Sequence, residues 1–323
     1  MVAEPAVSVE SAFFNNSFPV EAPSEVEADI SVGSNPGYAT QISPRATELR
    51  LLSQPPGPIS WSQYKNYVYK TGGIQTYIYH AESGVTPGLD VRNSRIEWLY
   101  TPEAYFWGQA KPGELDIPGE RPGHSTCTAS KAAGIAYGAA KEANLVVVKM
   151  IGFLEPSLVS VFKVIADDVK QKGRGGKSVV SISWSTKAEV QDIMGDTWFI
   201  EMRDALKELY DNNVIVVCSA GNYALTPGAT GSLRDRVDTA PAIINHVITV
   251  GASYFDGRRW ELSQRLIGPQ LYAPGVRIVC AEASGQVAYR TATGTSFCAL
   301  RLPFCTLKSL LTPHFKLHHL WRA

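Results

Sequence analysis

Four short stretches of this chain carry side chains suited to one reaction. They are AESGV (81–85), RPGHSTCTASKAAG (121–134), CSAGN (218–222) and TGTSFCA (293–299). Acyl transfer to a serine needs a nucleophile, a base within about 3 Å of it, an acid that fixes the tautomer of the base, and donors for the developing oxyanion. Ser296, His124, Glu82 and Asn222 offer one of these each. Alone, Gly-Thr-Ser is a common turn, a single histidine is usually a satisfied surface or core residue, and Asn222 could be a turn asparagine tolerating positive φ. The signal lies in four motifs occurring together, each at the end of a strand or the start of a helix.

Apolar, β-branched runs at 74–81, 144–150, 178–184, 214–220 and 246–252 predict strands buried on both faces, hence a parallel sheet. Between them, Leu158, Val161, Phe162, Ile165 and Val169 form a helical stripe behind Pro156, and Trp198, Met202, Ala205 and Leu209 form another. The alternation predicts an α/β fold, a three-layer sandwich with a mostly parallel central sheet. In such sheets function collects at the carboxyl ends of the strands, where these motifs fall.

The 323 residues are 45% hydrophobic with no net charge, enough for a large core and without a global field to attract nucleic acid. No apolar run reaches the roughly 18 residues that span a bilayer, and MVAEPAVSVESAFF lacks the layout of a secretory signal. Residues 1–44 hold acids but no Lys or Arg, so 1–46 is expected to be an acidic, disordered segment ahead of a domain at 47–300. A basic tail follows at 301–323. The five cysteines include no CxxC pair, which favours buried thiols over a disulfide framework. GRGGKS (173–178) lacks the first glycine of a phosphate loop, Gln171 standing there, and it precedes a strand. The tail's His314, His318 and His319 have no carboxylate or thiolate partner nearby, so no metal site is predicted.

The order acid, histidine, serine, together with LLSQPPG, SVVSISWS, DTAPAIINHVITVGA and YAPGVRI, resembles the subtilisin-like serine proteases, and the flanking segments are similar to fungal members. The resemblance runs from about Glu48 to Ala299. It implies a serine endopeptidase in which His124 is the general base, Ser296 the nucleophile, Glu82 the orienting acid and Asn222 an oxyanion donor. It also implies a main-specificity pocket with Ser183, Trp184 and Ser185 on one wall and Ser219, Ala220 and Gly221 on the other. Polypeptide substrates, a monomeric state, an extracellular or vacuolar location and stabilisation by calcium are further implications, although no calcium-ligand loop is identifiable. Fungal relatives often carry a thiol near the position of Cys127, one helical turn after His124, which implies mercurial sensitivity.

The chain departs from the family's pattern in several places. Glu82 stands where Asp is usual, and its extra methylene displaces the carboxylate by roughly 1.5 Å unless the backbone yields. Ser125 and Ser185 replace glycines, and His80 replaces an apolar strand residue on the same strand face as Glu82. His80 could pair with Glu82, or it could replace a packing residue. Asp90 is a distant substitute acid. Leu300 occupies the usual proline position, and Pro303 falls inside the helix expected after the serine, although Leu300, Phe304, Leu307 and Leu311 keep a helical stripe. Reduced activity is therefore expected, and the alternative is a catalytically impaired homologue that binds peptides or regulates a sibling. An α/β-hydrolase esterase fits poorly, because that family places histidine after serine.

Overall fold

The computed structural model describes residues 13–14, 30–32, 38–53, 65–70, 73–86, 90–110, 123–151, 155–186, 188–265, 271–283 and 289–299. Its centre is a sheet of seven strands: β1 (Tyr77–Glu82), β2 (Ile96–Tyr100), β3 (Asn144–Lys149), β4 (Ser178–Ile182), β5 (Ile215–Ser219), β6 (Val247–Ser253) and β7 (Leu271–Pro274). All neighbours are parallel, in the order β7-β6-β5-β4-β1-β3-β2. The order reverses at β1, so the carboxyl end of this strand, where Glu82 stands, is the crevice at which such sheets place their chemistry.

Three helices matter most to the site: α1 (His124–Ala133), α2 (Glu155–Gln171) and α3 (Thr197–Asp211). Side chains alternate between the faces of a strand. Tyr79 and Ala81 of β1 therefore join Val146, Val148, Val180 and Ile182 beneath α2 and α3, while Ile78 joins Leu145 and Val147 against Ala129, Ala132 and Ala133 of α1. The expected stripe from Leu158 to Val169 is the buried face of α2, and Met202, Ala205 and Leu209 are buried on α3. Burying each large aliphatic or aromatic side chain contributes about 1.5–3 kcal/mol, so Phe162 and its neighbours hold α2 on the sheet.

The five expected strands are present. The edge strands β2 and β7 lack the sequence pattern of a buried strand, because IEWLY is half-buried along its length and LYAP ends in a proline. Edges tolerate both features, since one side makes no ladder.

Ahead of residue 47 the described stretches 30–32 and 38–46 carry strands and turns, so the expected disorder does not extend over them, while apart from 13–14 the rest of 1–46 lies outside the described residues. Tyr38–Gln41 pairs antiparallel with Ile30–Val32 on one side and Tyr67–Lys70 on the other. Alternation turns Ala39 and Gln41 inward, and the Gln41 side-chain amide donates to the carbonyl of Ala136 at 2.9 Å. Glu48 accepts from the buried Lys131 ammonium of α1 at 2.6 Å. Phe13–Phe14 pairs antiparallel with Ala292 and Thr293. The tail from Leu300, including its histidines and the Leu300–Leu311 stripe, lies outside the described residues.

Candidate active site

Glu82 is the last residue of β1 and His124 the first of α1. Gly123 precedes the helix at φ +84°, and a Cβ there would stand 2.9 Å from the Arg290 guanidinium, so the tight entry that delivers His124 requires glycine. The imidazole Nδ1 of His124 lies 2.9 Å from Glu82 Oε1, with both side chains buried. The extra methylene of glutamate is absorbed locally. The side chain folds back so that Oε2 accepts the N–H of the next residue, Ser83, at 2.9 Å and its hydroxyl at 3.3 Å. Burial by itself would raise the Glu82 pKa, but the charge and hydrogen bond of His124, then His80 and the Ser83 N–H, hold it below the usual value.

Ser296 is central in the 3-10 turn Thr295–Phe297 and is fully buried. Its hydroxyl donates to the carbonyl oxygen of Ser183 at 3.1 Å, and the Ser183 hydroxyl donates to the carbonyl of Ser296 at 3.0 Å. The His124 Nε2 atom is buried without a hydrogen-bond partner, so His124 and Ser296 are not hydrogen-bonded in this conformation. Their turns nonetheless pack together through Phe297, whose ring centroid lies 5.7 Å from that of His124.

Asn222 follows β5, and its side-chain oxygen accepts both the N–H and the hydroxyl of Thr295 at 3.0 Å. Because the amide is planar, this turns its nitrogen away from Thr295; a Cβ on Gly294 would stand 3.5 Å from it. The Thr295 hydroxyl also accepts the N–H of Gly221 at 3.2 Å. Thr295 and Ser83 therefore hold the side chains of Asn222 and Glu82, although neither stands out in the sequence by its own chemistry. Their only signal there is adjacency, each lying next to a candidate catalytic residue.

The residues expected to line a substrate pocket also lie here, with one restriction. Trp184 turns its side chain into the core, donating from Nε1 to the carbonyl of Ala81 at 3.0 Å and lying 6.0 Å from the Phe162 ring, so only its backbone can face a peptide. Ser183 and Ser185 are buried, as are Ser219 and Ala220, and the Gly221 carbonyl accepts from Gln264 N at 3.0 Å. Thr186, next to Ser185, is stitched to Ala240 through backbone and hydroxyl.

Cys127 is not the free thiol expected. It is bonded to Cys280 in a disulfide, and because the partner is 153 positions away, spacing carries no sign of the pair. Asp90 is spent on the N–H groups of Ala136 and Tyr137, away from His124. In the 173–178 loop, Arg174 is held by Asp168 and Glu97. Among the described residues no three His, Cys, Asp or Glu side chains converge as a metal-binding group. No helix among them is long and apolar enough to cross a membrane.

The model of the subtilase family matches residues 90–299, more than half of the chain. The chain belongs to the subtilase family. The match takes in His124, Asn222 and Ser296, while Glu82 lies ahead of it. Among relatives, it is 32% identical over 233 residues to Subtilisin-like protease 2 of Pseudogymnoascus destructans, covering 71% of this chain and 52% of that protein. It is 28% identical over 279 residues to Subtilisin-like serine protease Pen ch 13 of Penicillium rubens, covering 85% and 61%. The chain thus spans about half the length of several curated relatives it matches. Its fold is that of a cold adapted subtilisin-like serine proteinase of known structure, with TM-score 0.58 at 21% identity over 79% of this chain and 81% of that one. The subtilase sheet thus accounts for four distant segments meeting at one rim.

Proposed function

We propose that this subtilase is a serine endopeptidase acting on polypeptides with Glu82, His124 and Ser296 as its triad. The observation that carries the reading is the 2.9 Å bond between Glu82 and His124 Nδ1, which leaves Nε2 as the basic atom. The Ser296 hydroxyl swings from Ser183 O toward His124 Nε2 when a peptide carbonyl arrives. Nε2 takes the proton as Oγ bonds to the carbonyl carbon, and Glu82 stabilises the imidazolium. The amide nitrogen of Asn222 and the N–H of Ser296 receive the oxyanion; losing an asparagine donor of this kind costs about 100- to 1,000-fold in rate. Collapse breaks the C–N bond as His124 returns the proton to the leaving amine, and water then releases the acyl group by the same route.

The walls at 183–185 and 219–221 would align the extended substrate through their backbones. The Cys127–Cys280 disulfide supports an oxidising location, extracellular or vacuolar. Hydrolysis of a peptide p-nitroanilide by the purified chain, abolished in Ser296→Ala, tests the reading; equal hydrolysis by the variant would reject it.

A second reading, an impaired homologue that binds peptides, is favoured by the Ser296 hydroxyl being engaged by Ser183 and fully buried. Saturable peptide binding by a wild-type chain without hydrolysis would select it.

A further inference from the structure

β1 reaches α1 with two polar side chains, and only one belongs to the proposed triad. His80 and Glu82, two residues apart, project from the same face of the strand. His80 is fully buried, with Nε2 3.1 Å from the carbonyl oxygen of Ser125, 3.2 Å from the Ser125 hydroxyl and 3.3 Å from the Thr128 hydroxyl. A carbonyl can only accept, so Nε2 carries the hydrogen. The Thr128 hydroxyl lies in turn 3.1 Å from the carbonyl of His124 and 3.0 Å from that of Ser125. His80, Ser125 and Thr128 are all buried, so this cluster contacts no bulk water.

The geometry points to His80 as a positioning residue for His124. Through Ser125 and Thr128 it fixes the backbone of the first turn of α1, while Glu82 fixes the ring, so one strand holds the imidazole at both ends. This rests on the reading of His124 as general base. The second hold matters because a glutamate has one more rotatable bond than an aspartate, so the carboxylate alone defines the ring position less sharply. His80 serves this role as a neutral donor: burial pushes its pKa down to about 4, against the opposing pull of Glu82 and with His124 adding to the depression.

If His80 only fills space, His80→Leu should leave the Glu82–His124 pair unchanged. The test uses the full chain carrying Ser296→Ala, in which no turnover interferes, and follows the far-downfield proton resonance of His124 Nδ1–H by NMR. We expect His80→Leu to shift or broaden it and His80→Asn, which can still donate to Ser125, to restore it. In the active background the same His80→Leu change should lower kcat about 10- to 100-fold at constant KM. An unchanged resonance in a cooperatively folded His80→Leu protein overturns the proposal. Should that variant not fold, Thr128→Val, which removes the hydroxyl and keeps the branched shape, carries the same expectation and the same contrary result. A wild type whose resonance responds to His80 but which hydrolyses nothing would count against the protease reading and in favour of the positioning role.

Discussion

The hydroxyl of Ser296 and the carbonyl of Ser183 are hydrogen-bonded at 3.1 Å, so the proposed nucleophile faces a wall of the proposed substrate groove instead of its proposed base. Breaking that bond costs about 1 kcal/mol, a barrier that substrate binding readily offsets. A crystal structure of a peptide boronate adduct is therefore expected to place Ser296 Oγ away from Ser183 O, with His124 Nε2 hydrogen-bonded within the site. An adduct in which Nε2 still lacks a partner would contradict the proposed swing.

The folded-back Glu82 side chain makes its length part of the fit. Glu82→Gln keeps the shape but presents an amide that can hold the wrong tautomer of His124, and kcat should fall about 10,000-fold. Glu82→Asp withdraws the carboxylate from a distance already at 2.9 Å, and a loss of about 100-fold is expected for a displacement near 1 Å. Steady-state kinetics on folded variants checks both; full activity in Glu82→Gln would remove the acid from the mechanism.

Buried neutral His80 gives stability a pH signature. Its folded pKa of about 4 lies below the ordinary 6.5, so the unfolded chain binds the proton first and stability falls as pH drops from 6.5 towards 4, by about 3 kcal/mol in all. Glu82, held below its ordinary 4.5, adds a loss at still lower pH. Urea midpoints measured between pH 7 and 4 should decline in the wild type and decline less in His80→Leu. Parallel curves for the two proteins would contradict the assignment.

The disulfide ties the first turn of α1 to the strand Ile278–Cys280, and it shares a buried cluster with Phe297. Closing a loop between residues 153 apart stabilises the fold by up to about 5 kcal/mol in the chain-entropy model. A Cys127→Ser, Cys280→Ser double variant should melt at lower temperature. With Cys127 in the disulfide and Cys218 and Cys298 buried, a mercurial should modify none of these three in the native, oxidised protein, as peptide mapping would show. Mercurial labelling of Cys127 in the oxidised protein would speak against the pairing.

The sequence made the central strands legible because they are buried on both faces and read as continuous apolar runs. It also made four loop tips legible, because Glu82, His124, Asn222 and Ser296 stand at element ends in a fixed order. It could not reveal Cys280 as the partner of Cys127, since that pairing depends on how α1 lies across the strand. Nor could it show that Trp184 turns inward to Ala81, or that His80 meets Ser125, because strand alternation gives a face and not a neighbour. The segment 38–46 departs from its expected disorder for a related reason. The acids behind that expectation all lie upstream, between Glu4 and Asp29, whereas the inward Ala39 and Gln41 meet the turn at Ala136, 95 positions from Gln41.

Reaction with a fluorophosphonate shows whether His124 can draw the proton from Ser296, since only an activated serine attacks phosphorus at a useful rate. Mass spectrometry of the labelled, cooperatively folded chain should find the adduct on Ser296 and find none in a His124→Asn variant. An unlabelled Ser296 in such a chain, or equal labelling without the imidazole, would rule out the proposed triad.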